Sequence, residues 1–390
     1  MKVIALYLPQ FHIIPENNKW WGEGFTEWTN VKSAKPLFEG HKQPKIPLNE
    51  NYYNLLDDNV KIWQANLAKK YGIYGFCYYH YWYNGKMLLE KPMEQMLNNK
   101  NIDIPFCAMW CNQAWTKSWV GKDTEILISQ KSGDRAEWIE HYNYLRKFFL
   151  DKRYILNNNK PLFGIYNPEI LDNLQEMFDC WNDLAKQDGF DGIDYLCLVT
   201  DYSRVIEEKE IYDKFDHFIE SCFMLAYYKI NYSKRNKIQL FIDKLKEDIN
   251  KKYERIFGHE SRFINNLINL KRSLKRNNTV TKFDYDEFWE NILSLEPFSE
   301  KSILCSLVNW DNTARYGEKG SVMINDSVEK FEYYFSKQIS LVKEKYKTDI
   351  LFLQAWNEWA EWSVLEPDKD NGYGYLEAVK KALIANGEFN

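Results

Sequence analysis

The sequence predicts an α/β fold, a (β/α)8 barrel that occupies residues 1–390 as one domain. Eight short apolar runs alternate with segments of helical periodicity, which is typical of parallel strands covered by helices. Polar and aromatic residues collect where the apolar runs end, as they do at the carboxyl ends of barrel strands. With 390 residues, 45% of them hydrophobic, the chain can fill one large core.

The predicted strands are apolar throughout, as strands buried on both faces are. They cover residues 3–11, 75–82, 105–112, 161–167, 194–200, 216–223, 302–310 and 349–355. Between them apolar residues recur at helical spacing, as in Val60, Trp63, Leu67 and Ala68, in Trp138, Tyr142, Leu145 and Phe149, and in Phe331, Tyr334, Ile339 and Leu341. A doubly wound open sheet is the alternative, but no glycine-rich phosphate loop follows the first strand.

A long segment, residues 15–47, follows the first predicted strand and contains an aromatic stretch from Trp20 to Trp28. A βα loop of this length forms a lid or wall over the mouth of a barrel. The alternative is a hydrophobic plug whose aromatic side chains contact no ligand.

A second segment, residues 229–282, is basic, with 15 Lys and Arg against 5 Asp and Glu. Because the total formal charge is −5, the rest of the chain carries −15. Apolar residues at helical spacing predict a helical insertion: Ile238, Phe241, Ile242, Leu245, Ile249, Ile256 and Phe257. Either this insertion is a solvated helix packed on the barrel, or its basic face docks on an anionic membrane or a partner.

The composition excludes several classes of partner and site. A net charge of −5 argues against nucleic acid, which is bound through excess Lys and Arg. The seven cysteines are odd in number and lie mostly in apolar runs, which predicts reduced core thiols. We find no metal-ligand, serine-nucleophile or Walker pattern, so no cofactor is expected. The run Asp284-Tyr285-Asp286 has the spelling of a transferase metal motif but fits a helix start better.

The N-terminal apolar run stops at Pro9 without a small-residue cleavage site, so it predicts a first strand rather than a signal peptide. No apolar run approaches the roughly 20 residues that a membrane-spanning helix needs. We therefore expect a cytoplasmic protein, located at the inner face of the membrane if the basic insertion docks there.

The last predicted strand runs into two carboxylates set among three tryptophans, Trp356-Asn357-Glu358-Trp359-Ala360-Glu361-Trp362. Tryptophan faces stack on sugar rings, and a carboxyl group in a dry aromatic setting has a raised pKa suited to general-acid use. Residues three apart share one face of a helical turn. If the chain leaves the strand near Trp356, Glu358 and Glu361 fit the ~5–5.5 Å separation of retaining glycosidases. The alternative is an aromatic strand end whose glutamates are merely solvated.

Polar and aromatic residues at the other strand ends, and those beside the two glutamates, are predicted to contact a sugar. They are Tyr7, His12, Trp28, His80, Tyr81, Trp82, Trp110, Asn112, Trp115, Tyr166, Asp311, Asn312, Arg315, Asn357, Trp359 and Trp362. Core packing is the alternative for His80 and Trp110, and a structural salt bridge is the alternative for Asp311 and Arg315. Glu366 precedes a proline and is expected in a structural turn.

Four groups of motifs are spread from the first strand to the last and leave out only the basic insertion. They are Val3-Ile4-Ala5-Leu6-Tyr7-Leu8-Pro9-Gln10-Phe11-His12, Trp20-Trp21-Gly22 with Gly24-Phe25-Thr26-Glu27-Trp28, Trp310-Asp311-Asn312-Thr313, and Asn357-Glu358-Trp359-Ala360-Glu361 with Leu365-Glu366-Pro367-Asp368. Together they resemble the WbsX-like proteins of bacterial surface-polysaccharide synthesis, which are commonly named glycosyltransferases. The barrel of that family is similar to that of the family 99 glycoside hydrolases, the endo-acting α-mannosidases and mannanases.

The resemblance implies a role for each glutamate. Glu358 would be the base that assists attack by the sugar's own 2-hydroxyl through a 1,2-anhydro intermediate, Glu361 the general acid/base, and the anomeric configuration would be retained. The hydrolase motif is Asn-Glu-Trp-His-Glu-Gly, whereas this chain has Ala360 in place of the histidine and Trp362 in place of the glycine. A bulky Trp362 would narrow the subsite beside the acid, so the resemblance implies the catalytic pair but leaves the mannose specificity open.

The leading hypothesis is a retaining glycoside hydrolase or transglycosidase that acts on an oligosaccharide or polysaccharide. Its substrate would be an α-mannan-like or other surface glycan, free or lipid-linked. The first alternative is a glycosyltransferase that builds O-antigen, capsule or lipopolysaccharide. The second is a glycan-binding barrel without activity.

Overall fold

Eight parallel strands close into a barrel surrounded by helices, which confirms the predicted (β/α)8 fold. The computed structural model describes residues 1–117, 122–233 and 279–389. The barrel strands are β1 (Lys2–Tyr7), β2 (Ile73–Tyr83), β3 (Phe106–Trp110), β4 (Lys160–Ile165), β5 (Asp194–Val199), β6 (His217–Ser221), β7 (Ser302–Leu307) and β8 (Ile350–Gln354). Each strand pairs with the next in parallel, and β8 closes the barrel on β1 with Ile350 opposite Lys2.

The segments of helical periodicity form the outer layer. The helices are α1 (Pro15–Trp21), α2 (Glu27–Ser33), α3 (Asp58–Lys70), α4 (Lys91–Asn98), α5 (Arg135–Phe149), α6 (Leu174–Gln187), α7 (Tyr202–Glu207), α8 (Lys209–Tyr212), α9 (Cys222–Ser233), α10 (Tyr285–Leu293), α11 (Thr313–Tyr316), α12 (Val328–Leu341) and α13 (Gly374–Ala385). The Asp284 carboxylate accepts hydrogen bonds from the backbone N–H groups of Asp286 and Glu287. Asp284 therefore caps α10, as the helix-start interpretation of this motif predicted.

Several barrel strands are shorter than predicted at their carboxyl ends. The run predicted over 3–11 ends at Tyr7, and the run over 302–310 ends at Leu307. The residues that follow turn into loops over the mouth, where the Leu8 N–H donates to Asn357 Oδ1 instead of a strand partner. Short pairings that the sequence did not predict brace these loops: Lys86–Leu88 with β2, Trp115–Lys117 with Lys122–Ile128, Thr281–Asp284 with Ser321–Ile324, and Asn357–Glu358 with Ser363–Val364.

The structure describes the first βα loop but only the two ends of the basic segment. In the loop, α1 and α2 cover the mouth beside β8, and the buried Trp28 ring lies 4.7 Å from Phe11 and 5.5 Å from Trp359. The helical insertion predicted over 229–282 falls mainly on residues 234–278, which are outside the described residues.

All seven cysteines are buried free thiols, as predicted. No helix in the described ranges combines the length and apolar character needed to cross a membrane.

Candidate active site

The chain leaves β8 at Gln354 and makes a tight excursion over the barrel mouth. Asn357–Glu358 pairs antiparallel with Ser363–Val364, and a single 3-10 turn, Trp359–Glu361, joins the two. Glu358 precedes this turn and Glu361 ends it. Both side chains contact the guanidinium of Arg315, so they project on the same side.

One guanidinium group contacts three carboxylates at this turn. Arg315 lies on α11, after β7, and its Nη2 is 3.0 Å from Glu358 Oε2 while its Nη1 is 2.5 Å from Glu361 Oε1. The third carboxylate is Glu27, the first residue of α2, whose Oε1 lies 2.5 Å from Arg315 Nη2 and 3.1 Å from Nε. Loops after β1, β7 and β8 thus meet at Arg315.

The two glutamates of the turn hold protons more tightly than free carboxyl groups do. Burial raises the pKa of Glu358, Arg315 opposes that shift, and the charges of Glu361 and Glu27 add to it. Burial likewise raises the pKa of Glu361 against the opposing charge of Arg315. Since two close carboxyl groups titrate as a pair, the arrangement favours one shared proton. Such a pair supplies one base and one acid.

Tyrosines from β2 and from the end of β4 line the barrel side of the pair. Burial raises the pKa values of Tyr79, Tyr81 and Tyr166, and the Glu358 charge adds to each shift. Their hydroxyls are therefore protonated and able to donate to a ligand. Trp115 extends this aromatic wall, with its ring 5.3 Å from Tyr81 and 5.7 Å from Trp20.

Two tryptophans flank the carboxylates on the turn itself. Trp359 Nε1 donates to Glu366 Oε2 over 2.7 Å, and its ring lies 5.9 Å from Trp362. Trp362 has a φ of +51°, in the left-handed region that glycine favours. Its buried indole N–H has no hydrogen-bond partner in the described part of the chain, and Lys45 Nζ lies 4.1 Å from its ring centre.

Four of the residues predicted to contact a sugar hold the loops in place through hydrogen bonds. Asn357 bonds the Leu8 backbone in both directions, at 2.8 and 3.0 Å. Asn112 does the same with Asn167, and Asn312 Oδ1 accepts from the Ser321 N–H. The fourth residue is Asp311, whose backbone N–H donates to the Glu361 carbonyl. Its carboxylate bonds His41 and Gln43 rather than Arg315. The salt bridge considered between Asp311 and Arg315 does not form.

Tyr7, His80, Trp82 and Trp110 lie on the outer face of the barrel, away from the pair. His80 Nε2 is 2.9 Å from His141 Nε2, and the Trp82 and Trp110 rings pack on His141. The Tyr7 hydroxyl donates to Gln64 on α3. Successive side chains of a strand alternate between its faces. His80 and Trp82 must therefore point outward once Tyr79 and Tyr81 point inward.

His12 and Trp28 pack beneath the first βα loop. His12 Nδ1 lies 3.0 Å from the Pro9 carbonyl, while its Nε2 has no partner among the described residues. Burial lowers the pKa of His12 to about 4, so the ring is neutral near pH 7. Trp28 Nε1 donates to the Tyr53 carbonyl, so this indole supports the loop.

Sequence reasoning missed Glu27, Tyr79 and Lys45 as members of the site. Glu27 is fully buried, and its Oε2 has no hydrogen-bond partner among the described residues. An acidic residue in the first turn of a helix is commonly explained by the helix dipole, which hides any other role. The aromatic stretch around Glu27 was the available signal, since it marked this loop as a wall of the mouth.

Glu366 is structural, as its place before Pro367 predicted. Its buried carboxylate accepts four hydrogen bonds, from Tyr53, Gln64, Trp356 and Trp359. Within the described ranges no group of three or more His, Cys, Asp or Glu side chains is arranged to hold a metal ion.

A family model described as "Glycosyltransferase WbsX" matches residues 3–379. The chain belongs to the WbsX family. Two relatives, both named "Uncharacterized protein WxcX", come from Xanthomonas campestris pv. campestris strains B100 and ATCC 33913. Each is 30% identical over 386 residues, which are 98% of this WbsX chain and 49% of the relative. The chain therefore spans about half the length of these relatives.

Solved structures similar to this WbsX chain include the GH99 endo-α-mannosidase from Bacteroides thetaiotaomicron, alone and with bis-tris propane. The TM-scores are 0.53 and 0.54 at 11% identity, over 98% of this chain and 96% of the other. A glycoside hydrolase-like protein matches with a TM-score of 0.55 at 10% identity, over 98% and 93% of the two chains. At this identity the likeness supports the barrel fold. The matched family is described as a glycosyltransferase family, and the first two of these structures are of an endo-α-mannosidase.

Proposed function

We propose that the chain is a retaining glycoside hydrolase or transglycosidase of a surface glycan. The observation that carries this proposal is the pair of glutamates with raised pKa values, held by one guanidinium in an aromatic mouth. Tyr81, Tyr166, Trp115, Trp359 and Trp362 would contact the sugar, as donors or as stacking surfaces.

In the proposed first step, Glu358 takes the proton of the substrate's 2-hydroxyl while that oxygen bonds to the anomeric carbon. Glu361 gives its proton to the leaving glycosidic oxygen as that bond breaks. In the second step Glu361 removes a proton from the acceptor, which is water or a sugar hydroxyl, as the acceptor opens the three-membered ring. Glu358 returns its proton to the 2-oxygen, so the pair ends as it began.

We expect Glu361→Gln to abolish at least 99% of turnover while the variant still binds glycan. The amide cannot donate the proton that the leaving oxygen needs, and general acid catalysis contributes roughly 10²–10⁴-fold. Release of reducing ends from a panel of bacterial surface polysaccharides measures turnover, and proton NMR of the first product reports its anomeric configuration. Glu220→Gln, a substitution of another fully buried glutamate on β6, is the matched control. Full activity in Glu361→Gln, or an inverted product, would exclude the mechanism.

The family description favours a second candidate, a glycosyltransferase. Such an enzyme would release nucleotide from a nucleotide sugar in the presence of a glycan acceptor. The same purified protein is incubated with a panel of nucleotide sugars and lipid-linked acceptors. Nucleotide release that depends on Glu361 supports the transferase, and release of reducing ends without nucleotide supports the glycosidase.

The glycan in this proposal is lipid-linked, with the enzyme at the inner face of the membrane. The support is the charge of +10 that the sequence gives residues 229–282. Basic segments of this kind are attracted to anionic lipids by about 1 kcal/mol for each Lys or Arg near the surface.

A further inference from the structure

A cavity of about 490 Å³ lies beside residues 358–361, the catalytic turn of the proposed function. The cavity does not include the two glutamates. Its walls come from residues 47–53 of the first βα loop, from Trp63 on α3, and from Glu366, Pro367 and Tyr373 after the catalytic turn. Of the catalytic turn it touches only Trp359, and neither Arg315 nor Glu27 lines it. We call this space the Trp63 cavity.

The aromatic walls of the Trp63 cavity leave ring surface available. Trp63 is partly buried, and its ring stacks on no other aromatic ring in the described part of the chain. Tyr373 is 39% exposed, and one face of its ring stacks on Tyr71 with the ring centres 6.2 Å apart. Tyr52 is half-buried, with Lys32 Nζ 4.0 Å from its ring centre on one side. Partly exposed aromatic rings of this kind stack on the apolar faces of sugar rings.

The rim of the cavity is polar and held in a fixed shape. Asn49, Glu50 and Asn51 are exposed along it. Asn49 and Glu50 have φ angles of +57° and +53°, a left-handed conformation that persists where the surroundings impose it. Here the imposing contact is a hydrogen bond from the Leu48 N–H to the Pro367 carbonyl, 3.0 Å long. The rim is therefore preformed.

Glu366, at the floor of the cavity, is suited to binding a ligand and not to acid or base catalysis. Glu366 is 3% exposed, and its four hydrogen bonds occupy both carboxylate oxygens. Burial raises the pKa of Glu366 to about 7. Together with Glu50 on the rim, this carboxyl group disfavours an anionic ligand.

We propose that the Trp63 cavity is a second glycan-binding site, which takes a short neutral segment of a glycan. Its volume lies within the roughly 300–1,000 Å³ of small-molecule sites, and aromatic walls with a few polar groups are the lining that a sugar needs. The choice of a glycan rests on the proposed function, because Trp359, which lines this cavity, lies in the turn between Glu358 and Glu361. One polymer chain could then be held here while another part of it is cut.

The test measures binding in the Glu361→Gln background, so that no glycan is consumed. Neutral gluco-, manno- and galacto-oligosaccharides are titrated by calorimetry and by saturation-transfer NMR. We expect at least one to bind, and Trp63→Ala or Tyr373→Ala to weaken that binding about tenfold, the equivalent of ~1.4 kcal/mol. Tyr74→Ala is the matched control, since Tyr74 is 37% exposed and does not line the cavity. Thermal melting verifies that each variant is folded.

Several outcomes would overturn the proposal. They are no binding by any neutral oligosaccharide, unchanged binding in Trp63→Ala, equal weakening in Tyr74→Ala, loss of binding in Trp115→Ala alone, and tighter binding of uronic-acid oligosaccharides. The two proposals fail separately, because the function is judged by turnover in Glu361→Gln and this site by affinity in the cavity variants.

Discussion

At the scale of single residues, the site is an electrostatic balance around Arg315. Its guanidinium is 11% exposed and contacts Glu27, Glu358 and Glu361 at once. One positive charge cannot neutralise three carboxylates, so burial keeps a proton on the pair. Glu27 is not one of the two glutamates of the turn, yet its charge helps to set how tightly that proton is held.

We expect Glu27→Gln to move the pH profile of kcat/KM to lower pH by about one unit. The Glu27 charge raises the pKa values of Glu358 and Glu361, so its removal lowers both. Glu361 then loses its proton at lower pH, so the alkaline limb of the profile moves to lower pH. Glu358 also ionises at lower pH, so the acidic limb moves in the same direction.

Glu27→Asp keeps the charge and should keep the profile near that of the wild type. Glu220→Gln removes an equally buried carboxyl group without touching this network, because Glu220 bonds Ser302, Tyr202 and Tyr346. A profile that stays fixed, or moves to higher pH, in Glu27→Gln would show that Glu27 does not act on the pair.

At the scale of elements, the turn that carries Glu358 and Glu361 is local in sequence, while the residues around it come from distant parts of the chain. The spacing of Glu358 and Glu361 was sufficient to predict a helical turn, and short apolar runs in the sequence predicted the eight barrel strands. The contact between Glu27 and Arg315 could not be predicted in this way, because the two residues are 288 positions apart in the sequence. Alternation along β2 shows that Tyr79 and His80 face opposite ways, but only the closed barrel decides which one faces inward.

Trp362 gives a backbone prediction for the same turn. A φ of +51° suits glycine, and Ala at such a position is strained by roughly 1 kcal/mol. We expect Trp362→Gly to be about 1 kcal/mol more stable than Trp362→Ala, because both variants lose the ring and only the glycine removes the strain. Urea unfolding followed by circular dichroism measures the difference.

Ala360, two residues earlier in the 3-10 turn, is the control position. It is buried and does not have a positive φ. There the order reverses, and Ala360→Gly should lose about 0.5–1 kcal/mol of unfolding free energy. Equal stabilities of the two Trp362 variants would mean that the left-handed conformation is relaxed in solution.

At the scale of the whole molecule, charge is divided unevenly along the chain. The sequence gives +10 to residues 229–282 and −15 to the remainder. Such a division lets one part of a protein approach an anionic surface while the acidic part is repelled. The aromatic mouth and the Trp63 cavity both belong to the acidic part.

We expect the full chain to sediment with vesicles that contain phosphatidylglycerol and not with vesicles of phosphatidylcholine alone. The electrostatic attraction should weaken as salt rises, since the Debye length falls from about 10 Å at 0.1 M to about 3 Å at 1 M. Deleting residues 234–278 should abolish sedimentation and leave the melting transition of the barrel in place. Equal sedimentation with and without these residues would remove the membrane proposal.

The hydrogen bonds between Asn357 and Leu8 join residues 349 positions apart. Contacts this distant in sequence close the longest loops of the chain and are the slowest to form during folding. The turn that carries Glu358 and Glu361 is thus anchored to the first strand only when the last strand has docked beside it. Synthesis proceeds from the other end, so a growing chain carries no assembled carboxylate pair until β8 has emerged. The assembled pair therefore exists only in a chain whose ring of strands is complete.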